Sequence, residues 1–154
     1  MRLPQALLPI LLTVGFLACK KEGTIKSEIP EISQLEQSAR TINIGIESED
    51  TLLFRFRFQD GDADIKGGKA KVVFKNVLDT VGEVDYPFPE ISAELDPSKG
   101  VSGIALVSLD AAAILFQITD TSKKSDMQVY DIYMVDNAGH KSNVLRSDSV
   151  LVTN

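Results

Sequence analysis

The sequence predicts an all-β domain, an antiparallel β-sandwich of immunoglobulin or fibronectin type with about seven or eight strands. From Thr41 onward the apolar residues recur with a period close to two, as they do in strands and not in helices. Turn-forming residues separate the short apolar stretches, most clearly the Asp-Asn-Ala-Gly sequence at 136–139. The chain has one cysteine and no tryptophan. The disulfide and tryptophan that mark many such domains therefore do not contribute to this assignment.

The predicted strand at residues 51–58 shows this alternation most regularly. Because side chains alternate across a strand, one face is expected in the core and the other, with Arg55 and Arg57, in solvent. The residues of the core face are Leu52, Phe54, Phe56 and Phe58. The other predicted strands are a short one at 31–34 and further ones at 41–48, 71–75, 101–109, 112–119, 127–135 and 143–152.

Three segments need a more specific interpretation. The strand at 127–135 has apolar residues on both faces, which predicts a central strand covered on both sides. Residues 111–113 are all alanine, so one helical turn is the alternative to the strand at 112–119. Residues 87–91 contain two prolines, which cannot donate to a ladder and therefore favour a sheet edge or a loop.

The first nineteen residues predict export from the cytoplasm. Arg2 is followed by an apolar run at 6–18, which is shorter than the roughly 20 residues that span a bilayer but matches a signal-peptide core. Cys19 follows this run directly. The predicted organisation is a signal peptide at 1–18, a flexible tether that begins with Cys19 at 19–40, and the β-sandwich at 41–154.

The sequence Phe-Leu-Ala-Cys at 16–19 resembles the lipobox of bacterial lipoproteins. The resemblance implies cleavage before Cys19, a diacylglycerol thioether on its sulfur and an acyl chain, such as palmitate, on its amino group. Two or three acyl chains hold a protein firmly on a membrane, whereas one does not. Phe16 is a departure, since leucine is usual three places before the cysteine. The alternatives are a secretory peptide with a chance cysteine and a buried N-terminal helix.

Two longer phrases, LLFRFRFQDGDADI at 52–65 and YDIYMVDNAGHKSN at 130–143, resemble small Bacteroidetes-type lipoproteins with an immunoglobulin-like or cadherin-like domain. The charged residues Lys20, Lys21 and Glu22 also resemble the run that follows the cysteine in this group. There such a run is associated with passage to the outer membrane, so the resemblance implies attachment to that membrane, facing the periplasm or the cell surface. Ala63 stands where glycine is usual in that group, and His140 where asparagine is usual. The group is largely of unknown function, so the resemblance implies a fold and a location but no activity.

The acidic run at 60–64 predicts a calcium site. Alternating carboxylates are typical of the start of an oxygen-ligand calcium loop, but Ile65 and Lys71 exclude the helix–loop–helix version, which needs Gly and Glu at those places. In an immunoglobulin-like sandwich the ends of the strands at 52–58 and 127–135 lie at the same end of the domain. The predicted ligands are Asp60, Asp62, Asp64 and Asp136, with Asn137 adding a carbonyl. The alternative is a pair of polar turns without an ion.

Several functions are disfavoured by the composition. The net charge of −6 repels phosphate backbones, so nucleic acid is not an expected partner. His140 is the only histidine; it lies in a turn, where we expect exposure to solvent, without a recognisable nucleophile elbow. We therefore expect no enzyme. The predicted function is a lipid-anchored envelope protein that presents a binding or spacer domain to a protein or glycan. The alternative is an accessory component of a surface carbohydrate-utilisation or hydrolytic system.

Overall fold

The computed structural model describes residues 27–78, 82–89, 91, 96, 98–120 and 122–154. The predicted signal peptide and Cys19 lie outside this range. In the described part of the chain, no helix is long and apolar enough to cross a membrane. The strands are β1 (Glu31–Gln37), β2 (Thr41–Asn43), β3 (Thr51–Asp60), β4 (Lys71–Asn76), β5 (Glu83–Pro87), β6 (Val101–Asp110), β7 (Ser125–Gln128), β8 (Tyr130–Val135), β9 (Leu145–Arg146) and β10 (Val150–Thr153), with one 3-10 helix at Ile114–Phe116.

These strands form three hydrogen-bonded sheets, with the orders β1-β3-β6, β2-β10-β7 and β5-β4-β8-β9. Adjacent strands run antiparallel except for β2 and β10, which pair in parallel. The inner face of the first sheet packs against the third, where the rings of Phe54 and Phe74 are 5.1 Å apart. The fold is an all-β sandwich of immunoglobulin-like type, as predicted.

Strand β3 supplies the centre of the core. Its four even-position apolar side chains, from Leu52 to Phe58, are all buried, and its arginines lie on the opposite, more exposed face. The ring of Phe54 also packs edge-on against Tyr130 of β8, with 6.1 Å between centroids. The sequence assignment of the two faces is confirmed, and β3 fixes the position of Asp60 at its end.

The chain changes sheets within two stretches that were each predicted as one strand. Residues 127–135 divide at Val129 into parts of β7 and β8, and residues 143–152 divide into β9 and β10. At this crossing Ser147 accepts a hydrogen bond from the Tyr130 N–H through Oγ and donates its own N–H to the Tyr130 carbonyl, both at 2.9 Å. As predicted, β8 is central and buried on both faces.

Three other predictions need correction. Only Thr41–Asn43 of the stretch 41–48 is a strand, because Asn43 accepts the Gly45 N–H at 2.7 Å and turns the chain, which leaves Ile46 fully exposed. Residues 112–119 contain a 3-10 helix at Ile114–Phe116 instead of a strand. Strand β1 contains the predicted short strand at 31–34 but continues to Gln37 and pairs with β3, although the tether was predicted to extend to residue 40. The sandwich therefore begins before residue 41.

Candidate metal centre

The acidic loop, residues 60–64, and the β8–β9 turn, residues 136–140, meet at one end of the sandwich. The acidic loop begins at the last residue of β3, and the turn follows directly after β8 in the opposing sheet. The Asn137 N–H donates to the Asp64 carbonyl at 3.1 Å, and the Ala138 N–H donates to the Asp64 carboxylate at 2.9 Å. The two segments are therefore in direct contact.

Three carboxylates converge where the segments meet. Asp60, Asp64 and Asp136 each offer one oxygen, and these oxygens lie within 4.8 Å of one another. Calcium binds oxygen at about 2.3–2.6 Å, so two oxygens on the same ion cannot be more than about 5 Å apart. The spacing of the three oxygens fits a single calcium ion.

Some oxygens of these carboxylates accept hydrogen bonds, and others have no hydrogen-bond partner in the described part of the chain. Asp60 and Asp136 are almost fully buried. One oxygen of Asp60, one of Asp62 and one of Asp64 are buried without a hydrogen-bond partner in the described part of the chain. Leaving a buried charged acceptor unsatisfied costs more than the about 1–3 kcal/mol of a neutral group. A cation between these oxygens would satisfy them.

Backbone N–H groups hold the other oxygens in place. Asp60 Oδ2 accepts from the Asp64 N–H at 3.0 Å. Asp136 Oδ1 accepts from the Gly139 and His140 N–H groups, both at 2.7 Å. The backbone therefore orients one oxygen of each of these two acids, which lowers the entropy lost when an ion binds.

The crowded charges perturb the acids. Burial, with the charges of Asp62 and Asp64 as smaller causes, raises the pKa of Asp60 to about 7. Burial and then the charge of Asp136 raise the pKa of Asp64 as well. Like charges in a poorly solvated site disfavour ionisation, and a divalent cation has the opposite effect. The electrostatics of the site thus favour the uptake of a positive charge.

The side chain of Asn137, which the sequence predicts as a source of one carbonyl ligand, is hydrogen-bonded to backbone groups. Its Oδ1 accepts from the N–H groups of Lys69 and Ala70 at 2.7 and 2.9 Å, and its Nδ2 donates to the Lys66 carbonyl at 3.3 Å. The side-chain oxygen is therefore taken by two backbone donors. Asn137 ties the β8–β9 turn to the segment that leads into β4.

Asp62 lies beside the centre but outside the set of three. Its side chain is half-buried, and its charge lies close enough to Asp60 to add to the increase in the pKa of Asp60 that burial causes. One oxygen of Asp60 and one oxygen of Asp62 are buried without a hydrogen-bond donor in the described part of the chain. Asp62 therefore adds negative charge beside the three converging carboxylates.

Two features of the site escaped the sequence analysis. The side chain of His140 is 41% exposed, but the sequence does not indicate that its Nδ1 lies 2.9 Å from Asp136 Oδ2. The hydrogen bond to Asp136 is the largest cause that raises the pKa of His140. Ala63 has a φ of 58°, which glycine adopts without strain and alanine does not.

The fold and this centre define an immunoglobulin-like β-sandwich with a buried acidic centre at one end. No family model and no curated protein matches the chain. A similar solved structure is that of a Niemann-Pick type C2 protein from the Japanese carpenter ant, with 12% sequence identity and a TM-score of 0.49. The match covers 85% of this chain and 98% of the ant protein.

Proposed function

We propose that this protein is a lipid-anchored component of the cell envelope whose immunoglobulin-like domain binds one calcium ion and serves as a binding or spacer module. The observation that carries the calcium part is the buried, unpartnered oxygen of Asp60 beside Asp64 and Asp136. A buried acceptor without a donor, next to two further carboxylates, is the arrangement that a hard cation stabilises.

Calcium fits this centre better than the other common divalent ions. The donors that converge are carboxylate oxygens, whereas zinc prefers nitrogen and sulfur. Magnesium demands near-ideal octahedral geometry and usually keeps several waters, which a site enclosed by the buried Asp60 and Asp136 does not favour. Three or four carboxylates also carry more negative charge than one divalent ion neutralises. This excess negative charge favours the binding of a divalent cation.

The envelope part of the proposal rests on the amino terminus. The signal core is followed at once by Cys19, the only cysteine in the sequence. In the proposed mature protein Cys19 carries the covalent lipid, and residues 20–30 connect it to β1. The domain then projects from the outer membrane, into the periplasm or from the cell surface, where it meets a protein or glycan partner.

Thermal unfolding of the mature, detergent-solubilised protein in calcium and in chelator tests the calcium part. We expect a higher melting temperature in calcium for the wild type and no difference for Asp60→Asn, because Asp60 is buried at the centre. Asp148→Asn is the matched control, since Asp148 is an exposed partner of Arg40. An unchanged melting temperature of the wild type in millimolar calcium would overturn the proposal.

A further inference from the structure

The segment that enters the domain from the tether runs directly over the acidic loop. We call residues 27–30, just before β1, the stalk base. A Cβ added to Gly61 would lie 2.1 Å from the Ser27 carbonyl oxygen and 2.6 Å from its carbon. No side chain fits between these two backbones. Gly61 lies between Asp60 and Asp62, so the stalk base rests on the part of the loop that carries the proposed ligands.

A second contact joins the stalk base to the other half of the metal centre. The His140 side chain, which is hydrogen-bonded to the Asp136 carboxylate, also lies close enough to the Glu28 backbone for that backbone to help raise the pKa of His140. The stalk base is thus held between the acidic loop on one side and the β8–β9 turn on the other. The acidic loop and the β8–β9 turn both carry carboxylates of the candidate metal centre.

Strand β1 is attached by contacts that do not involve the centre. Asn143 accepts the Ile32 N–H and donates to the Ile32 carbonyl, both at 2.8 Å. From Glu31 to Gln37 the strand pairs with β3. The attachment of β1 should therefore survive when the acidic loop moves, whereas that of the stalk base should not.

We propose that the cation at this centre clamps the stalk base onto the domain and so sets the direction in which the tether leaves toward the membrane. This inference rests on the proposed function, because it requires a cation at the centre. Without the cation, the carboxylates on either side of Gly61 repel one another, the loop opens and Ser27 loses its support. When the cation is bound, the domain is held at a fixed angle to its tether. When the cation is absent, the orientation of the domain relative to the tether varies.

Trypsin cleavage after Lys26 tests this clamp in the mature, detergent-solubilised protein, because a protease must draw the stalk base away from the domain. We expect cleavage that yields an N-terminus at Ser27 to be about tenfold slower in calcium than in chelator. Cleavage after Lys20 or Lys21 should change far less, because these bonds precede the clamped segment in the sequence.

The Gly61→Ala variant tests the contact with the stalk base independently of calcium binding. The added methyl group collides with Ser27 but removes no carboxylate, so we expect the variant to keep its calcium-dependent melting temperature and lose the protection of Lys26. Hydrogen exchange of the wild type gives a second measurement that does not depend on this variant. Calcium should slow exchange at residues 28 and 29 more than within β1.

The outcomes distinguish the two proposals. A calcium-dependent melting temperature with equal cleavage and equal exchange in calcium and in chelator would overturn the clamp and leave the metal site standing. A wild type that shows neither a thermal shift nor protection would overturn both.

Discussion

The Ala138 N–H donates a 2.9 Å hydrogen bond to the carboxylate of Asp64, a residue 74 positions earlier in the chain. This bond joins the loop after β3 to the turn after β8, and it holds one proposed calcium ligand against the segment that supplies another.

Phe56→Ala should destabilise the domain by about 3–5 kcal/mol, because the ring is fully buried and its removal leaves a cavity. Arg55→Ala should cost about 0.5 kcal/mol or less, since its ion pair with Glu36 is between largely exposed side chains. Urea unfolding of the two variants measures the difference. Equal losses of stability would show that the two faces of β3 are wrongly assigned.

Asn137→Ala should destabilise the protein by about 1–3 kcal/mol, because two backbone N–H groups lose their acceptor. We also expect weaker calcium binding, since the turn that carries Asp136 is no longer tied to the segment before β4. Asn154→Ala at the exposed C-terminus is the control. A variant with wild-type stability but no calcium binding would instead make Asn137 a ligand.

The stability of the protein in chelator should fall as the pH rises from about 4 to about 7. The pKa of Asp60 is about 7 in the folded protein, where burial is the largest cause of the increase, and about 3.9 in an unfolded chain. Between these values the folded state binds more protons than the unfolded state, so the free energy of unfolding decreases with increasing pH.

Urea unfolding in chelator at several pH values checks this prediction. Other acids titrate in the same range, so the informative quantity is the difference between the wild type and Asp60→Asn, which lacks the titrating group. We expect the wild type to lose stability relative to the variant as the pH rises. Parallel pH profiles would mean that Asp60 is ionised at the same pH in both states.

Cys19→Ser should leave the protein uncleaved or free of the membrane, because a serine oxygen cannot accept the thioether-linked diacylglycerol. Detergent partitioning and the mass of the processed protein measure the two effects. A variant that is processed normally and still partitions into detergent would refute the lipid anchor.

Much of the fold was predictable because the local signals and the final packing agree. The alternation from Leu52 to Phe58 depends on one strand with one buried face, and that is how β3 packs. The change of sheet at Val129 was not predictable, because β7 and β8 continue with the same period and differ only in their partners. Ile46 fits the period of its neighbours, but the local bond from Gly45 to Asn43 ends the strand first.

The candidate site also has some features that the sequence predicts and others that it does not. The meeting of the acidic loop with Asp136 follows from topology, which the order of strands predicts. The role of Asn137 does not follow from topology, because an asparagine after a strand is equally suited to bind an ion or to accept hydrogen bonds from backbone N–H groups. Here the backbone of Lys69 and Ala70 takes its oxygen. The contact of His140 with Asp136 depends on the shape of the turn and has no signal in composition.

Calorimetric titration of calcium into the chelated, mature protein measures whether the acidic centre binds an ion. We expect one ion per chain, bound with measurable heat at or below millimolar calcium, and we expect this heat to be lost in Asp60→Asn but not in Asp148→Asn. No heat of binding up to millimolar calcium would contradict this expectation and would leave the acidic loop and the β8–β9 turn as two polar turns.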